Sequence, residues 1–109
     1  MNLIDSIKQA LKEVWDFIKR IFVKILNFIR NIRSWFQEPE RLKKIEENNS
    51  IIAVAIKENL ENGNFNVINC LYDQDSDSII ENETLIIETE ELDANTKQQF
   101  NDKDMIKLT

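Results

Sequence analysis

The chain has 109 residues, a net charge of −6, a single cysteine and no histidine. That leaves room for one small domain and an appendage, and it excludes an internal disulfide, an imidazole base and an ordinary zinc ligand set. The charge is divided unevenly: residues 1–37 sum to +4 and residues 38–109 to −10, a basic head on an acidic body that argues against general nucleic-acid binding.

From Ile4 the residues Ile7, Leu11, Val14, Ile18, Ile21, Ile25, Phe28, Ile32 and Trp35 continue an unbroken three-four spacing of large apolar side chains. This spacing predicts one long amphipathic helix from about Leu3 to Gln37, with no Pro or Gly inside it. Glu38-Pro39 ends it, and Pro39 can open a short second helix to about Glu47. Asn48-Asn49-Ser50 reads as a break.

The body begins at Ile51. Asn62-Gly63 contains the only glycine and predicts a type I′ hairpin between strands over 51–60 and 64–72. A helix over 51–60 is the rival, because Ile52, Ala55, Ile56 and Leu60 also fit helical spacing, but the β-branched content favours the strand. A polar loop over 73–78 follows, then a strand over 84–88. Asp93 can cap a short helix to Phe100, and 105–108 reads as a last strand. The expected fold class is α+β: a long N-terminal amphipathic helix followed by a small antiparallel β-rich domain of three or four strands and one short helix. The expected units are 1–38 (helix), 39–50 (helical connector) and 51–109 (acidic β-rich domain).

The apolar helix face carries the functional expectation. It must be covered by the protein's own body, by other subunits or by lipid. A wide apolar face with Trp and Phe, and only Lys and Arg among the charged residues from Phe17 to Gln37, fits an anionic membrane surface best. The residues expected to bind a membrane or a partner are Trp15, Phe17, Ile18, Lys19, Arg20, Ile21, Phe22, Lys24, Ile25, Phe28, Ile29, Arg30, Ile32, Arg33, Trp35 and Phe36. The expected function is that of a non-enzymatic peripheral membrane protein. Its basic helix binds anionic lipid and its acidic domain meets a protein partner, with no cofactor and no nucleic acid. The alternative is a homo-oligomeric adaptor or structural subunit assembled through the Ile-rich face of residues 4–35. With no signal peptide or apolar span in evidence, the expected location is cytoplasmic, peripheral to the membrane.

Two weaker chemistries come from the body. Asp73, Asp75 and Asp77 occupy the first positions of a calcium-loop pattern, but Ser78 stands where Gly is required and Thr84 where the bidentate Glu is required. The preferred reading is a solvated turn, so no metal is expected. The acidic runs at Glu81–Glu83 and Glu88–Glu91 read as solvated, charged strand ends, and Cys70 as a small buried hydrophobe.

Overall fold

Asn2 starts the first helix: its side-chain oxygen accepts the Asp5 N–H at 2.9 Å, satisfying one of the donors that a helix start leaves free. The computed structural model describes residues 2–108. Helix α1 (Leu3–Val14) gives way to a single 3₁₀ turn at Trp15–Phe17, and the chain then becomes strand β1 (Lys19–Leu26). A π-helical turn (Phe28–Arg33) runs into the short α2 (Ser34–Phe36). Next come α3 (Pro39–Glu47), β2 (Ile51–Asn59), β3 (Phe65–Asp73), β4 (Ser78–Leu92), α4 (Ala94–Phe100) and β5 (Met105–Lys107). The α+β class stands.

The long helix over 3–37 does not. The residues after Ile18 satisfy two periods at once. Ile21, Val23 and Ile25 alternate with Arg20, Phe22 and Lys24, which is the period of a strand. Pairing with β4 decides between them, because it supplies a backbone ladder and a covered face that an isolated helix lacks. The open end of α1 is closed by Arg20, whose guanidinium donates to the Trp15 carbonyl at 2.8 Å and lies 4.7 Å from the centre of the Trp15 ring. A cation there suits the helix C-terminus. Asn27 restarts the helix: its side chain accepts the Arg30 N–H at 2.9 Å, while its own N–H donates to the Asn31 side chain at 2.8 Å.

The sheet has the order β1-β4-β3-β2-β5. β1 runs parallel to β4, with Lys19 beside Leu85 and Leu26 beside Leu92; the other pairings are antiparallel. Both faces are covered, which explains why Ile51 to Ile56 are all buried and read as a continuous apolar run. On one face α1 lays Ile7, Ala10 and Leu11 against Ile52, Val54, Ile56, Ile68, Cys70 and Ile86. On the other, Phe28, Ile32 and Phe36 of the π turn and α2, with Phe100 of α4, pack on Ala53, Ala55, Val67, Leu71 and Ile87. Asn69 is buried in this second layer and donates to the Asn31 carbonyl at 3.0 Å, fastening the π turn to the sheet.

The seam from Ile4 to Trp35 is therefore covered by the protein itself, and among its members only Ile25 is exposed. That corrects the expectation that lipid or other subunits cover it. The hairpin is present over the expected strands, but its turn is not type I′. Gly63 alone has positive φ, at +88°, while Gly63 N–H donates to the Leu60 carbonyl at 3.1 Å and Leu60 N–H to Asn64 at 2.8 Å. This is a three-residue loop, a type I turn followed by a bulge. It places glycine at the one position that needs the left-handed region.

Candidate interaction surface

β1 ends the strand order and has a neighbour on one side only. The Leu26 carbonyl accepts the Asp93 N–H at 3.0 Å, and the Lys24 carbonyl lies 3.1 Å from the Thr89 hydroxyl, so both carbonyls face inward to β4. Backbone groups alternate in direction along a strand, which turns the N–H and C=O of Lys19, Ile21, Val23 and Ile25 to the outside.

Around this edge the side chains are unusual for a surface. Phe17 is 75% exposed, Phe22 56%, Ile25 54% and Ile29 54%. Leu42 is the only other exposed large hydrophobic among the described residues. Exposed single apolar residues are ordinary, whereas a cluster on one segment marks a contact site. Interleaved with them along the chain are Lys19, Arg20, Lys24, Arg30 and Arg33, all exposed; Arg33 lies toward the β2–β5 side of the sheet, where it lines a hollow with Ala53 and Leu108. The ion pairs within 4 Å among the described residues are Arg41 with Glu38 and Glu83, Lys43 with Glu47, and Lys44 with Glu83. None involves these five cations. Acidic residues border the edge: one strand inward on β4, Glu88 and Glu91 stand beside Phe22 and Ile25 in register, with Glu88 accepting from Asn64 at 2.9 Å, and Glu38 and Glu81 line the same hollow as Lys19.

The edge is hollowed on both faces. On the α1 side, a depression of about 330 Å³ is lined by Arg20, Phe22, Asn66 and Glu88. On the opposite side, one of about 380 Å³ is lined by Phe17, Lys19, Trp35, Arg41 and Glu81. Its wall is rigid. Arg41 lies 3.7 Å from the centre of the Trp35 ring, donates to the Trp35 carbonyl at 2.9 Å and pairs with Glu38 at 2.9 Å. Its Nε is 2.7 Å from the buried Glu83 carboxylate, off the hydrogen-bond line, and Lys44 reaches the other Glu83 oxygen at 3.3 Å. A larger hollow of about 720 Å³ runs along the outer flank of α1 between Asp5, Lys8, Lys12, Asp16 and Glu58.

The sixteen residues singled out in the sequence divide by burial. Phe17, Lys19, Arg20, Phe22, Lys24 and Ile25 are exposed on or beside the edge, and Ile29, Arg30 and Arg33 are exposed on the π turn that follows it, with Arg33 reaching a hollow it shares with Ala53 and Leu108. Trp15, Ile21 and Trp35 are half-buried. Ile18, Phe28, Ile32 and Phe36 are core residues, because the sheet takes the faces from which they project. What sequence reasoning missed is the strand edge itself, signalled by the alternation from Arg20 to Ile25.

The calcium-like loop closes the β3–β4 hairpin. Asp73 accepts from the Ser50 hydroxyl at 2.8 Å and from the Asp75 N–H at 3.0 Å, and the Tyr72 hydroxyl donates to Asp77. The Ser50 hydroxyl, ahead of the loop's own N–H groups, holds the Asp73 carboxyl below its usual range although desolvation works the other way. No group of three or more acidic or thiol side chains able to hold a metal occurs among the described residues. Nor is any helix there long and apolar enough to cross a membrane. No family model, curated protein or solved structure matches this chain.

Proposed function

We propose that this chain is a non-enzymatic association module that holds a protein partner along the β1 edge. One observation carries the reading. The exposed large apolar side chains Phe17, Phe22, Ile25 and Ile29 lie on and beside a strand with no strand partner on its outer side among the described residues, and they are interleaved along the chain with cations that have no ion pair there. An open strand edge with apolar flanks is a template for strand addition.

A second reading is peripheral binding to an anionic membrane at the cytoplasmic face, with the acidic body turned away. It is favoured by the all-basic charge from Phe17 to Gln37. Two features weigh against it. Strand N–H and C=O groups find no partners in hydrocarbon. Phe17 and Phe22 also line hollows on opposite faces of the sheet, so one flat surface does not engage both.

The test is site-directed photo-crosslinking in cells that make this chain, with a photoreactive phenylalanine analogue replacing Phe22, Ile25 or, as a control, the exposed Lys43 of α3. Protein adducts concentrated at Phe22 and Ile25 are expected. Equal yields at all three positions defeat the edge reading, and lipid adducts alone at Phe22 and Ile25 favour the membrane.

A further inference from the structure

We infer that the occupant of the β1 edge is an extended segment alternating acidic and apolar residues, added to the sheet as a further strand; this deepens the edge reading and rests on it. The two faces of β1 differ in chemistry. Ile21, Val23 and Ile25 project to the face of the π turn and α2, where Ile21 and Val23 join the core. Arg20, Phe22 and Lys24 alternate with them and project to the α1 face, where Arg20 and Phe22 line the hollow. A strand laid alongside presents its own alternate side chains to the same two faces. Apolar residues then extend the Ile21–Ile25 row, and carboxylates fall beside Arg20 and Lys24.

Charge argues for that occupant over a second copy of this chain. Two β1 strands paired edge to edge would bring Lys19, Arg20 and Lys24 of both copies into one ribbon, with strands only about 4.8 Å apart. That is well inside the screening length of roughly 8 Å at physiological salt. No acidic residue lies between Phe17 and Gln37, and Glu88 and Glu91 of β4 stand one strand inward, on the side of β1 away from a second copy. Lysines on an edge strand are a recognised barrier to self-pairing. An acidic segment turns the same cations from a barrier into a selector, excluding basic or neutral strands while admitting its own.

The experiment uses the full chain and a fluorescent peptide of alternating Val and Glu, matched in length to β1. Controls are a Val–Lys peptide and a Val–Glu peptide with Pro at alternate Val positions. Fluorescence anisotropy at low and high salt is read beside residue-resolved amide exchange and sedimentation. The Val–Glu peptide is expected to bind about tenfold or more tighter than either control, to weaken with salt, and to protect the Ile21, Val23 and Ile25 amides. Lys24→Glu, at an exposed position that leaves the Arg20–Trp15 closure of α1 in place, should cost about tenfold in affinity with an unchanged circular dichroism spectrum. Equal binding and protection by the Val–Lys peptide overturns the acidic identity while the edge reading survives. Absence of protection by both Val–Glu and Val–Lys overturns strand addition to β1. Dimers that protect the same amides without peptide make a second copy the occupant and overturn the inference. Binding to anionic vesicles with none to peptide overturns it in favour of the membrane.

Discussion

Asp93 donates its N–H to the Leu26 carbonyl at 3.0 Å and accepts the Thr96 N–H on its carboxylate at 2.8 Å. One residue thus anchors the end of β1 and starts α4. Burial works to raise the Asp93 pKa, but the Thr96 hydroxyl, the Thr96 N–H and the Phe28 N–H together outweigh it and hold it below its ordinary value. Asp93→Ala should lose about 1 kcal/mol of stability, the usual cost of a lost N-cap. A group whose folded pKa is depressed stabilises fully above its unfolded value and loses that contribution as pH falls through the folded one. The stability difference between wild type and Asp93→Asn should therefore shrink below about pH 4. Urea titrations across that range measure it. Because Asp73 is also held low, the comparison with the variant is what isolates Asp93. A difference that grows on acidification would refute the assignment.

Amide exchange should alternate along β1. The N–H groups of Arg20, Phe22, Lys24 and Leu26 face β4 and should exchange slowly, while those of Ile21, Val23 and Ile25 face solvent and should exchange fast. A helix would protect all of them, so the pattern is a direct reading of strand against helix.

Glu83 is buried between Arg41 and Lys44. Its removal leaves the Arg41 guanidinium, packed on Trp35, without its buried counter-charge. Glu83→Gln should destabilise by roughly 3 kcal/mol, within the range for breaking one side of a buried pair. Replacing Glu83, Arg41 and Lys44 together by apolar residues should cost less than the single change. Chemical denaturation of the two variants decides the order.

Burial pushes the Cys70 thiol up to about 12, between buried Asn69 and Leu71 and beside buried Val54 and Thr84. Reaction with a disulfide reagent at neutral pH should therefore follow global opening rather than the chemistry of the thiol. The rate should rise with urea in step with unfolding; a fast reaction in native buffer would contradict the packing.

Much of the architecture was legible from local chemistry. Asn62-Gly63 announced a hairpin, Pro39 a helix start, and Asp93 the cap of α4, because each signal acts over a few residues. β1 was not legible in that way. Ile18, Ile21, Phe22, Val23 and Ile25 satisfy helical and strand periods together, and the winning partner, Leu85 to Leu92, is far along the chain. The Asn27 cap was a local sign of the restart, overshadowed by the unbroken seam. The candidate site was half legible for the same reason. Its segment, 17–33, could be named from charge and hydropathy. Which members face outward depended on the sheet, so Ile18, Phe28, Ile32 and Phe36 went to the core.

Because Lys19 lies beside Leu85, the first strand is synthesised long before its neighbour exists. On the ribosome, residues 3–36 have no ladder to join, and the long loop that must close before pairing adds an entropic delay. The locally favoured state of that waiting segment is the amphipathic helix its spacing describes. A nascent chain stalled before Ser78 should thus carry more helix in its first third than the finished protein, measurable by amide exchange on stalled complexes. In the order of translation β1 is made before β4, and it waits for that partner through the synthesis of β2 and β3.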